Sequence, residues 1–217
     1  MIVAIVPIIS NNESHLQGIR ELLIGRELKS IYIFYDPVNE LSESISNQLN
    51  EVLSSLFITQ RIKVNFSDKI SVIKGLAYVF EKEKGSEIWI DIIEAPSQFL
   101  LEAIAFIILH GGKIYFSKKE GKLEVLPIEV KPLIEELSTG HKNILQELLK
   151  EGKIESISKL AEKIGKRDRK GEAMTGYFIK QLKKWGFLRI SGTKRKVIEL
   201  TEFGKGYTLG LIEAKRG

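Results

Sequence analysis

Three small polar residues, Ser10, Asn11 and Asn12, follow an unbroken apolar run, and Ser97 and Gln98 follow another through Glu94, Ala95 and Pro96. Hydroxyls and side-chain amides both donate and accept hydrogen bonds. At the start of a helix they stand beside free backbone N–H groups, which favour an anion such as phosphate. The same residue types also cap helices without any ligand, so the pattern becomes a site only if the two stretches converge. A second group is cationic and lies late in the chain: Arg167, Arg169 and Lys170, then Thr175, Tyr177 and Lys180, then Lys194, Arg195 and Lys196. Such a cluster suits the phosphates of a polyanion, with Thr175 and Tyr177 interleaved to reach further.

Catalytic chemistry is sparsely supplied. The chain has no cysteine, which excludes disulfides and thiolate metal sites, and its three histidines (His15, His110 and His141) are scattered. Asp91 and Glu94 end one apolar run, but a carboxylate pair without an adjacent lysine repels phosphate. His15 can act as a base from the first loop, although a lone histidine at a helix start is more often structural. We therefore expect no catalytic residue, no metal and no cofactor.

The elements that must position these residues are readable from periodicity. In the first part, short β-rich runs alternate with helical patterns. "IVAIVPI" has the continuous apolarity of a parallel strand covered on both faces. Further strands are expected at 30–36, 61–66 and 87–93, with helices between them and Asp68 as an N-cap. The helix through "SQFLLEAIAFIILH" stops at Gly111 and Gly112, and two last strands form a terminal hairpin at 113–117 and 122–128. Alternation of this kind predicts an open, mainly parallel α/β sheet. In one common winding the fourth strand returns beside the first, and ligands sit beyond the carboxyl ends of that pair. Both polar stretches then line one pocket.

The pattern changes near residue 137. Residues 1–137 carry 14 Lys/Arg and 19 Asp/Glu, a net −5, whereas 138–217 carry 19 and 9, a net +10. Two domains are expected, 1–136 and 137–217, the second suited to a polyanion. Its helices are marked by Ile144, Leu145, Leu148 and Leu149, then by Ile157, Leu160, Ala161 and Ile164. A third has a buried stripe of Met174, Phe178, Leu182 and Trp185. Strands at 187–190 and 196–200 follow, joined by a basic turn, and a last helix starts near Thr201. Three helices and a basic-tipped hairpin make a winged helix-turn-helix, whose third helix enters the DNA major groove while the wing reaches phosphates. The N-terminus lacks a basic leader and no apolar run is long enough to span a bilayer, so a cytoplasmic protein is expected. Abundant Ile, Lys and Glu without cysteine lean towards a hyperthermophile.

The motifs "LAEKIG", "LKKWGFL" and "LTEFG" resemble those of bacterial and archaeal winged-helix regulators. With the wound sheet before them, the whole chain resembles the CRISPR-associated CARF–winged-helix transcription regulators of archaea. That resemblance implies a Rossmann-like CARF sensor for cyclic oligoadenylate, with cyclic tetra-adenylate as the expected ring. Its ligand residues are Ile9, Ser10, Asn11 and Asn12 together with Glu94, Ala95, Pro96, Ser97 and Gln98. It further implies a homodimer whose paired loops form one symmetric pocket, and double-stranded DNA as partner. "EAPSQF" departs from the family in having neither a Gly-rich nor a Lys-containing second motif. Two alternatives stand beside this reading. One is a ring nuclease in which Ser10, Asn11 or Ser97 positions the 2′-hydroxyl. The other is a regulator, or an RNA-holding factor, responding to an unrelated ligand.

Overall fold

The computed structural model describes residues 1–9, 13–22, 24, 26–93, 95–117, 123–126, 132–134, 137–192 and 196–216. Its first part runs β1 (Ile2–Ile8), α1 (Glu13–Leu22), β2 (Leu28–Tyr35), α2 (Glu40–Ser54), β3 (Ile58–Lys63), α3 (Lys69–Lys82), β4 (Glu87–Asp91), α4 (Ser97–His110), β5 (Lys113–Ser117) and β6 (Leu123–Val125). The sheet order is β3-β2-β1-β4-β5-β6, parallel throughout except for the antiparallel β5–β6 pair. This is a six-stranded, mostly parallel α/β sheet flanked by helices.

Most elements fall where the periodicity predicts them. β1 is buried at every position, as its apolarity requires. Asp68 caps α3 by accepting from the Ile70 amide at 3.0 Å. The third strand, expected at 61–66, lies three residues earlier. β3 is the outer strand and mixes polar with apolar residues, so its sequence carries no continuous apolar run to mark its start. Its register is set by pairing, from Ser30 opposite Ile58 to Tyr35 opposite Lys63.

The second part runs α5 (Thr139–Glu151), β7 (Lys153–Ile154), α6 (Ile157–Lys163), α7 (Arg169–Lys184), β8 (Leu188–Ser191), β9 (Val197–Leu200) and α8 (Glu202–Ala214). The three strands form an antiparallel sheet in the order β7-β9-β8. β7 is a two-residue strand, too short for any periodicity to reveal it. On α7 the buried stripe is rotated by about one residue from expectation: Gly171, Thr175, Ile179 and Leu182 face inward, while Met174 is 42% exposed. Phe178 is half-buried against the ring of His141, with centroids 4.5 Å apart.

The expected boundary at 136/137 marks a change of topology without a break in packing. One apolar core runs from the β4–α3–α4 face of the sheet into the helices that follow Leu137. α8 lies along α3. Tyr207 stacks on Phe106 and His110 of α4 with centroids 5.7 and 5.5 Å away. Burial in this aromatic stack pushes the His110 imidazole down to about 4, so the ring is neutral at ordinary pH. The opposite face of the sheet is covered by α1 and α2 over a separate core. Among the described residues no helix is long and apolar enough to cross a membrane.

Candidate functional site

Strand order reverses between β1 and β4, which are hydrogen-bonded in parallel from Ile2–Glu87 to Ile5–Ile90. Both helices that follow these strands, α1 and α4, begin at the same edge, beyond the strands' carboxyl ends. This is the crevice where open α/β sheets take ligands. Ile9 is half-buried at the end of β1. Ser10, Asn11, Asn12 and Glu94, all expected to contact ligand, lie outside the described residues.

The α4 corner is open to an acceptor. Its N-cap is Pro96, held at φ −58° and ψ 144°, and no side chain caps the first turn. The helices α2, α3, α5, α6, α7 and α8 each carry a side-chain cap, from Asn39, Asp68, Ser138, Ser156, Asp168 and Thr201. Among the described residues no side chain takes up the first-turn amides of α4, and the positive end of a helix dipole favours an anion there. Ala95 is half-buried in a turn closed by its amide on Ile92 O at 3.2 Å, and Ser97 is exposed in the first helical turn. Gln98 is half-buried and engaged: its Nε2 donates to Glu102 Oε1 at 2.8 Å. Glu102 is 6% exposed and lies 3.7 Å from Lys69 Nζ. Burial pushes this carboxyl above its usual range, against the pull of Lys69 and Gln98.

Behind the crevice lies a pairing that no sequence signal announces. His15 Nδ1 and Asp91 Oδ2 are 2.9 Å apart, and both side chains are fully buried. Asp91 Oδ1 also accepts from the Ile93 amide at 2.8 Å, which ties the end of β4. Burial raises the Asp91 carboxyl pKa, with His15 acting in the opposite sense. Tyr115, opposite Asp91 in the β4–β5 register, is fully buried, which drives its phenol well above the usual value. Among the described residues, His15 Nε2 and Tyr115 Oη have no hydrogen-bond partner. The dyad fixes α1 against the end of β4. Asp91 therefore faces α1 and not solvent.

The basic group sits on the second part. Arg167, Arg169, Lys170, Tyr177 and Lys180 are all exposed, the last four on α7. Tyr177 Oη accepts from Gln181 Nε2 at 3.2 Å, which steadies its ring on that surface. Lys196 is exposed just before β9, while Lys194 and Arg195 lie outside the described residues. Thr175 must be withdrawn as a surface contact. It is fully buried and donates to Gly171 O at 2.8 Å, because the stripe of α7 is rotated towards it.

No family model matches the chain, and no curated protein matches it. Among solved structures, protein VC1899 from Vibrio cholerae is similar at 11% identity and a TM-score of 0.47, over 96% of this chain and 64% of that one. Can2 from Sulfobacillus thermosulfidooxidans, solved in complex with cyclic tetra-adenylate, is similar at 10% identity and a TM-score of 0.41, over 97% of this chain and 64% of that one. The chain thus spans about 64% of the length of each. Both scores lie below 0.5, a level at which no argument about function follows.

Proposed function

We propose that the chain is a ligand-responsive, DNA-binding regulator. Its CARF-type sheet senses cyclic oligoadenylate, with cyclic tetra-adenylate as the expected ring, and residues 137–217 form a winged helix-turn-helix. The observation that carries the reading is the packing between its two ends. The uncapped start of α4 and the basic face of α7 belong to one continuous core, joined where α8 lies on α3. Gln98 reaches Glu102, and Glu102 reaches Lys69 at the start of α3. A ligand that engages Gln98 and the α4 amides acts on the layer that supports α8. Such a ligand shifts DNA affinity by the difference in its affinity for the two arrangements of that layer.

A homodimer fits this geometry. The outer face of α4 is apolar, with Leu101 and Ile108 exposed and Ile104 half-buried, and it begins at the crevice itself. A two-fold through that face brings two crevices together over one symmetric ring and spaces two recognition helices on a near-palindromic site. The DNA contacts are then Arg167, Arg169, Lys170, Tyr177 and Lys180, with Lys194, Arg195 and Lys196 on the wing.

Thermal shift against cyclic and linear oligoadenylates tests the sensor. A ring present at about a hundred times its Kd stabilises the bound fold by about 2.7 kcal/mol, so the midpoint rises by roughly 5–10 °C in a chain of this size. Linear forms give less, and chromatography after the assay returns the ring intact. No shift with any cyclic oligoadenylate refutes the sensor. A linear product favours the ring nuclease instead.

A further inference from the structure

β3 is the outer strand of the sheet: one edge pairs with β2, and the other carries no strand among the described residues. Along that open edge runs a groove of about 750 Å³, closed on the far side by α3 and α8. Four consecutive residues, Gln60 to Lys63, line it. Neighbouring side chains on a strand point to opposite faces, so what the four share is the strand's own edge, with its free N–H and C=O groups. Leu209 and Ile212 of α8 add an apolar floor.

The charge of the groove is one-sided. Lys63, Lys74 and Arg216 line it against one carboxylate among the described residues, Glu213, which Lys74 already holds at 3.0 Å, so Lys63 and Arg216 remain as exposed cations. Arg61 lends the groove its strand edge and not its charge, because its guanidinium turns to the α2 face, 4.2 Å from the centre of the Tyr35 ring, with Nε donating to Ser46 Oγ at 3.1 Å. A second copy of β3 would bring like charges face to face, which is how edge strands avoid pairing with themselves. An acidic strand meets the opposite sign. A nucleic acid backbone would satisfy the cations but would leave both the strand edge and the apolar floor unmatched.

We infer that the open edge of β3 is a docking groove for an extended acidic peptide of a partner protein, taken up by strand addition. Main-chain pairing with β3 supplies register, the exposed cations Lys63 and Arg216 supply the sign, and aliphatic side chains of the peptide cover Leu209 and Ile212. The inference is independent of the ligand and DNA assignments above.

The probe is a fluorescein-labelled octapeptide of alternating glutamate and valine, titrated against the full chain by polarisation at low salt. Saturable binding is expected. It should weaken at least tenfold when every second residue of the peptide is proline, which removes the pairing N–H groups. It should weaken similarly in the double variant Lys63→Glu/Arg216→Glu, two exposed positions whose reversal leaves the core intact. Hydrogen exchange should show new protection within residues 58–63. The inference is overturned by equal binding of the proline peptide, by protection mapping to α7 instead, by tighter competition from oligothymidylate than from unlabelled peptide, or by no saturable binding.

Discussion

Gly210→Ala will lower stability by about 3 kcal/mol, although a glycine-to-alanine change inside a helix ordinarily raises it by up to about 1 kcal/mol. The reversal of sign follows from the α3–α8 crossing. A Cβ at position 210 would lie 2.4 Å from Lys74 O, 2.6 Å from Ala77 Cβ and 2.9 Å from Tyr78 N. Two of these atoms are backbone and cannot move aside without bending α3. Gly206, one turn earlier, is as tightly enclosed, 2.8 Å from Ile73 Cβ and 2.9 Å from Ile70 O. The glycines are what allow α8 to lie directly on α3. Denaturant titration should show the midpoint falling for Gly210→Ala and further for Gly210→Val. Gly176→Ala on α7 is the matched control. Its nearest neighbour is Ile157 at 3.9 Å, so it should be neutral or mildly stabilising. If Gly210→Ala were as stable as the parent, the close packing of α8 against α3 would be wrong.

Reversing two charges on α7, with Lys170→Glu and Lys180→Glu, should reduce affinity for duplex DNA by a hundredfold or more at low salt. Each cation that neutralises a phosphate contributes about 0.9 to the slope of log affinity against log salt. Losing two such contacts flattens that slope by about 2 units, and the new carboxylates repel the backbone in addition. Because phosphate contacts carry no sequence information, the loss should be uniform across duplexes. Thr175→Val provides the contrast. The threonine is buried and bonded to Gly171 O, so the change should cost about 1 kcal/mol of stability and leave DNA affinity as it was. Unchanged binding by the charge-reversal variant would remove α7 as the DNA-facing helix.

How much could be read from the chain depended on whether the signal was local. β1, α4 and the two-residue stop at Gly111 and Gly112 announce themselves through runs of a few residues, and they lie where the periodicity puts them. The return of the fourth strand beside the first also followed, because a wound sheet admits few alternatives. The bounds of the edge strand did not, since β3 gains its register from pairing with β2 and mixes polar with apolar residues. α7 shows a subtler failure. Met174 and Thr175 are adjacent, and hydropathy favours burying the methionine, but contact with α5 and α6 turns the helix so that the threonine is covered. The pairing of His15 with Asp91 joins residues 76 positions apart, and each alone looked ambiguous. The continuity of the core across residue 137 was equally hidden. Charge and pattern both change there, whereas Tyr207 packing on Phe106 is a property of the assembled fold.

The central claim is that occupancy at the β1–β4 crevice changes what the α7 face does. Fluorescence anisotropy of a labelled duplex, titrated with the full chain in the presence and absence of cyclic tetra-adenylate, measures this directly. A coupling of 1–3 kcal/mol between the two sites corresponds to about a 5–150-fold change in DNA affinity, and the account predicts a shift in that range. Gln98→Ala should diminish the shift while leaving ligand-free DNA binding intact. Identical DNA affinity with and without ring, at concentrations where the ring is independently known to be bound, would contradict the account.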